Sequence, residues 1–240
     1  MPNWKDNLAI VLVETRNPLN IGAAARAMLN FGFTRLKLVS PYDVAFQEAR
    51  SAVGAGSVLA NAQVFPSLDK AVTDSTLIVG SASAGPRVFR QPRRLLPEAA
   101  KLLRIHLQRR PAALLFGSEK FGLSNEHLSH CHWTLKIPTS PDCPSMNLGQ
   151  AVALCCYELA RTTSHLAVVP RNRHASADQL QRIVEMLVSV LDSSGYIHPR
   201  TRRSHLLKIR RLVTRLNLSP DDATVLQGIL RQIEWKLKNI

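Results

Sequence analysis

The chain has 240 residues, with 31 Lys or Arg against 17 Asp or Glu, a formal charge of +14 and a pI of about 10.4. A composition of 45% hydrophobic and 20% charged residues excludes wholesale disorder and suits one large domain, or one domain with a small appendage. The excess of bases points to a polyanionic partner. The longest clean apolar run, Leu8 to Val13, is far short of the roughly 18 residues that suggest a membrane span.

Taken in chain order, Leu8 to Val13 reads as a strand and Asn20 to Phe31 as a helix that Asn20 can cap. Strands follow at Leu36 to Val39, Leu77 to Gly80 and Ala113 to Phe116, with helices between them, and a short one at Leu135 to Ile137. Ser124-Asn125-Glu126 has the chemistry of a helix start. From Leu148 to Thr162, Ala151, Leu154, Cys155, Glu158 and Leu159 recur at helical spacing. This alternation predicts an α/β domain over 1–165, with a parallel sheet covered by helices on both faces.

Residues 166–177, with Pro170, Arg171, Asn172, Arg173 and His174, read as a linker. An all-helical extension over 178–240 is expected next. Ser176 caps a helix to Leu191, Gly195 ends it, Ser204 to Leu216 makes a basic helix, and Ser219-Pro220-Asp221-Asp222 starts the last. Division at Pro170 leaves +7 on each part, so the smaller part is much the more densely charged. Its cluster is Arg200, Arg202, Arg203, Lys208, Arg210, Arg211 and Arg215. A second cluster contains Arg87, Arg90, Arg93, Arg94, Lys101, Arg104, Arg109 and Arg110. Either is a solvated face or a polyanion-binding surface.

No secretory signal is read at the start of the chain, so a cytoplasmic location is expected. Cys131, Cys143, Cys155 and Cys156 lack zinc-site spacing and read as reduced structural thiols. His127, His130, Cys131 and His132 crowd together, but their spacing does not aim four ligands at one point, and no metal is expected.

Three segments carry more polar chemistry than a stable fold requires. Each follows a strand, where an open parallel sheet binds its ligands. They are Glu14-Thr15-Arg16-Asn17-Pro18-Leu19-Asn20-Ile21-Gly22 with Arg26 one turn further on, Phe116-Gly117-Ser118-Glu119-Lys120-Phe121-Gly122-Leu123, and Ile137 to Gly149 with three prolines. In this order, Asn20-Ile21-Gly22-Ala23-Ala24-Ala25-Arg26, the second segment, and Ser145-Met146-Asn147-Leu148 resemble the three motifs of the TrmH/SpoU group of SPOUT methyltransferases. The resemblance covers about residues 7 to 162. Within the group it is nearest to enzymes that methylate nucleotide 32 of the tRNA anticodon loop.

The resemblance implies a deep trefoil knot at the end of the α/β domain, a homodimer whose active sites draw on both subunits, and 2′-O-methylation of tRNA ribose by S-adenosylmethionine. It places the cofactor against Ser81, Ala82, Ser83, Gly117, Ile137, Pro144, Ser145 and Met146. It makes Arg26, Ser145, Asn147, Glu119 and Asn20 the catalytic set. Arg16, Arg87, Arg90, Arg202, Arg203, Lys208, Arg210 and Arg211 are the candidate RNA contacts. Arg26 is often described as the general base in this group, but a guanidinium with a pKa above ~12 has no spare lone pair. Either its surroundings depress it sharply, or it binds phosphate and stabilises the developing alkoxide. Ribosomal RNA as substrate, and a non-catalytic RNA-binding module, remain the alternatives.

Overall fold

The structure, a computed structural model, describes residues 3–42, 56–82, 91–161 and 174–239. Seven strands, β1 (Leu8–Val13), β2 (Arg35–Val39), β3 (Gln63–Phe65), β4 (Leu77–Ser81), β5 (Arg93–Leu95), β6 (Ala112–Phe116) and β7 (Trp133–Lys136), form one sheet in the order β3-β2-β1-β6-β4-β7-β5. Every neighbouring pair is parallel, so all the strands end on one edge. Among the described residues, the helices of this domain are α1 (Pro18–Asn30), α2 (Gly56–Ala60), α3 (Leu68–Ala71), α4 (Leu96–Leu107), α5 (Asn125–Ser129) and α6 (Leu148–Ala160).

β1 and β6 are buried along their whole length, as the centre of a sheet covered on both faces demands. Their side chains alternate between two cores. Leu8, Ile10, Leu12, Leu114 and Phe116 pack with α1, α4 and α6, whereas Ala9, Val11, Val13, Ala113 and Leu115 pack with Leu68, Ala71, Leu123 and Leu128. The expected α/β class and parallel sheet are present. The three-residue strands β3 and β5 lie at the two edges, and β5 takes Arg93 and Arg94 out of the second basic cluster into the sheet.

The start of α1 differs from expectation. Asn17, not Asn20, is the cap: its side-chain oxygen accepts from the Leu19 N–H at 2.9 Å, and Pro18 occupies the first helical position. Proline has no N–H to leave unsatisfied there, so Asn-Pro is the stronger start. Asn20 is thereby left inside the first turn with its amide available. α6 crosses α1 at Gly149, where an added Cβ would stand 2.7 Å from the Ala23 Cβ, so small residues let the two backbones approach.

The tail folds as α7 (Ala177–Ser193), α8 (Arg202–Arg215) and α9 (Pro220–Lys238) around Ile183, Val184, Ile209, Val213, Ala223 and Leu230. Residues 174–177 of the expected linker are packed: Ala175 and Ala177 are buried, and the Ala177 N–H donates to the Ser75 carbonyl at 2.8 Å. Arg203 pairs with Glu126 at 3.1 Å, and Arg210 donates to the Ser129 hydroxyl at 3.4 Å. His130 lies in this seam; burial and then the nearby Arg210 charge push its pKa down to about 3.

Cys131, Cys155 and Cys156 are buried, and burial pushes the Cys156 thiol up to about 12, as inert structural thiols require. Cys143 departs from that reading by standing exposed. Among the described residues, no helix is long and apolar enough to cross a membrane.

Candidate functional site

The shared strand edge holds a cavity of about 310 Å³. Its walls come from the ends of β4 (Ser81, Ala82), β6 (Phe116 to Gly122) and β7 (Leu135, Ile137, Thr139), the loop Pro144 to Asn147, and Asn20 of α1. The Ala82 N–H donates to the Leu135 carbonyl at 3.0 Å, which fixes the β4 exit beside the β7 exit.

The β6 exit is a tight turn. Gly122 has φ of +64°, its N–H donates to the Ser118 carbonyl at 2.8 Å, and Ser118 and Gly122 form an antiparallel bridge. Gly117 lies so close to the returning strand that a Cβ there would fall 2.0 Å from the Gly122 carbonyl carbon. Only glycine permits this approach.

A polar chain joins the three sequence segments. Asn20 donates from Nδ2 to Glu119 Oε1 at 2.8 Å, and Asn147 donates from Nδ2 to Asn20 Oδ1 at 3.1 Å. Asn147 Oδ1 in turn accepts from the Gly149 and Gln150 N–H groups at 2.9 and 3.3 Å, capping α6. Glu119 also accepts from the Asn17 N–H at 3.3 Å and the Arg16 N–H at 3.4 Å. Burial pushes the Glu119 carboxyl upward, but the Asn20 amide and the backbone donors outweigh it and hold the group below the usual carboxylate range. Glu119 is therefore an ionised acceptor that braces α1 and a weak base.

The structure thus brings together Asn20, Ser81, Ala82, Gly117, Glu119, Ile137, Pro144, Ser145, Met146 and Asn147. Arg26 is not among the lining residues; it is exposed on α1, seven residues after the exposed Leu19 and so on the same helix face. Ser83, Arg87 and Arg90 lie outside the described residues. Sequence reasoning missed Lys120 and Phe121 as site residues, although both line the mouth of the cavity. An aromatic beside a lysine inside a glycine-bracketed turn was the available signal.

The candidate RNA contacts divide. Arg16 and Lys208 are exposed, Arg211 is half-buried, Arg202 pairs with Asp192, and Arg203 and Arg210 sit at the seam between tail and sheet domain. In the second basic cluster, Arg104 is buried and donates to the Arg161 carbonyl at 2.5 Å, and Arg94 pairs with Glu98. His127 and Ser124 form the capping box of α5, and His132 Nδ1 accepts from the Ile78 N–H at 3.1 Å. These imidazoles serve separate local roles. Among the described residues, no group of three or more His, Cys, Asp or Glu is placed to hold a metal.

The tRNA (cytidine/uridine-2′-O-)-methyltransferase TrmJ of Klebsiella pneumoniae is 36% identical to this chain over 241 residues, covering 97% of this chain and 98% of its own. That of Photorhabdus laumondii is 35% identical, covering 97% and 99%. The crystal structure of TrmJ from Z. mobilis superposes with a TM-score of 0.84 at 31% identity over 94% of this chain and 98% of that one. The model of the SpoU rRNA methylase family matches residues 7–157, the stretch that contributes all three converging segments. With the fold, the cavity and this match in agreement, the chain belongs to the SpoU methylase family.

Proposed function

We propose that this chain transfers a methyl group from S-adenosylmethionine to a ribose 2′-hydroxyl of tRNA, at nucleotide 32 of the anticodon loop. The observation that carries the reading is the convergence of three distant segments on one cavity, locked by the Asn147–Asn20–Glu119 chain. The name and full-length similarity of the TrmJ relatives support tRNA as the substrate.

The cavity suits the cofactor. Its wall of Phe116, Leu135, Ile137 and Met146 offers apolar surface for an adenine ring, while Ser81, Ala82 and Gly117 bring main-chain groups to its edge. S-adenosylmethionine would supply an electrophilic sulfonium methyl for attack by the ribose oxygen. The chain's own work is to orient that hydroxyl and stabilise the charge developing on oxygen as its proton passes to solvent at the cavity mouth, the cofactor leaving as the neutral thioether. Glu119, committed to three donors, sets the position of α1 and the turn, and does not take the proton. Ser145 stands exposed on the cavity wall, where its hydroxyl can meet the acceptor sugar.

Arg26 fits the electrostatic role, binding phosphate and facing the developing alkoxide. Its exposure on the same face of α1 as the exposed apolar Leu19, with Leu154 and Tyr157 also exposed on α6, supports a homodimer in which it completes a cavity formed with a second copy. The passage of the chain from β6 through β7 into α6, with β4 lying between β6 and β7 in the sheet, is compatible with the family's trefoil knot. The basic face of α8, with Lys208, grips the RNA.

The test supplies methyl-labelled S-adenosylmethionine with purified tRNA and ribosomal RNA separately, and with tRNA carrying a single 2′-deoxy substitution at nucleotide 32. Labelling of intact tRNA and its loss on that substitution are expected. Labelling of ribosomal RNA alone would reassign the substrate.

A further inference from the structure

Phe121 has the greatest exposure, 70%, of the large apolar side chains among the described residues, and it stands at the mouth of the cavity. A single exposed aromatic is ordinary on a protein surface. This one is held out by construction. The turn that carries it is closed by the Gly122 to Ser118 hydrogen bond and by the contact of Gly117 with the returning backbone, so the direction in which its Cα–Cβ bond leaves the turn is fixed. Neighbours in the same turn face the protein: Glu119 is bound to Asn20, and Leu123 is buried. Lys120 places its ammonium 5.2 Å from the centre of the Phe121 ring. An exposed flat ring beside a long-stemmed cation, on a rigid support, matches the two surfaces of a nucleotide: its base stacks and its phosphate pairs.

We propose that Phe121 is the stacking platform for the acceptor nucleotide, holding its base at the mouth while the ribose enters, with Lys120 meeting an adjacent phosphate. This rests on the RNA-methyltransferase reading above and adds a positioning residue to it. Base-aromatic stacking tolerates any base, so the contact orients the nucleotide without choosing its identity.

The experiment uses the full chain, tRNA and labelled S-adenosylmethionine, and compares Phe121→Leu, Phe121→Ala and Phe121→Trp with wild type. Three quantities are read: kcat/KM for tRNA, tRNA affinity, and S-adenosylmethionine affinity in the absence of RNA. Leucine preserves apolar bulk without a flat face. A fall of about five- to hundredfold in kcat/KM for both Leu and Ala is expected, with weaker tRNA binding, recovery in Trp, and cofactor affinity within twofold of wild type. The Trp variant should also lose fluorescence on tRNA binding beyond what the native tryptophans lose. Leu behaving as wild type overturns the proposal, because burial alone then suffices. A parallel loss of cofactor affinity also overturns it, because the ring then packs on the cofactor. If wild type binds tRNA but transfers no methyl group, the enzymatic reading fails; the affinities of the variants then decide the stacking role, and equal values refute it.

Discussion

Gly117→Ala tests whether the β6 turn is the frame of the site. The added methyl would meet three main-chain atoms, the Gly122 carbon at 2.0 Å, the Leu123 nitrogen at 2.2 Å and the Gly122 oxygen at 2.3 Å. No rotamer change relieves a clash with backbone, so residues 122 and 123 must retreat by over an ångström to reach ordinary contact. That movement removes the Gly122 to Ser118 hydrogen bond, a net loss of about 1 kcal/mol. It also draws the buried Leu123 from its core, a loss of about 1.5–3 kcal/mol when complete. If binding requires the turn to re-form, the sum of about 2.5–4 kcal/mol is subtracted from ligand affinity, or about 60- to 700-fold. Calorimetric titration with S-adenosylmethionine, alongside amide exchange across 117–123, reads both consequences. Gly228→Ala is the control: its Cβ meets nothing within 4 Å inside α9, so stability should rise by up to about 1 kcal/mol with cofactor affinity unchanged. A Gly117→Ala protein that binds the cofactor within threefold of wild type, with exchange unaltered, would refute the reasoning.

Asn147→Ala removes the α6 cap and the bond to Asn20, about 2 kcal/mol together, so Tm should fall by roughly 4–8 °C; Asn147→Asp keeps the cap acceptor but loses the Nδ2 donor, so it should recover at most about half of that fall in Tm and no activity. Acid sensitivity follows from the buried imidazoles: the unfolded chain takes up protons below about pH 6.5, whereas folded His130 does so only near 3 and His132 near 4. Stability should thus fall as pH drops through that window, and His130→Gln should flatten the decline in urea titrations between pH 4 and 6.5. Replacing the exposed Lys208 and Arg215 by Ala should lower the slope of log affinity against log salt by about 0.7–0.9 for each phosphate no longer neutralised, while cofactor titrations stay unchanged. Arg26→Lys should give a reduced rate without a lysine-like titration; a rate that climbs with pH along one would restore the general-base role.

The central strands were legible because burial on both faces leaves an uninterrupted apolar run, as in Leu8–Val13 and Ala112–Phe116. Gln63–Phe65 and Arg93–Leu95 were not, since edge strands of three residues with polar members leave no periodicity to detect. The three site segments were recognisable as polar turns after strands. Their joining was not, because the Asn20–Glu119 and Asn20–Asn147 contacts span 99 and 127 residues of sequence. The same holds for the seam: Ala177 looks like the end of a polar linker, yet its burial and its bond to Ser75 depend on a surface built about a hundred residues earlier. Arg210 shows the limit of charge counting, since a basic run on paper places one of its members under Ser129.

The carboxylate–amide–amide clasp has a directionality that constrains how this chain can diverge. Glu119 can only accept, so Asn20 must turn its NH₂ toward it, leaving its oxygen for Asn147, whose own oxygen is left for the helix start. Reversing any link strands two acceptors face to face. A chimera spliced between β1 and β6 from divergent relatives would inherit such a mismatch unless both parents share the same polarity, so the two halves of the domain are heritable only as a set.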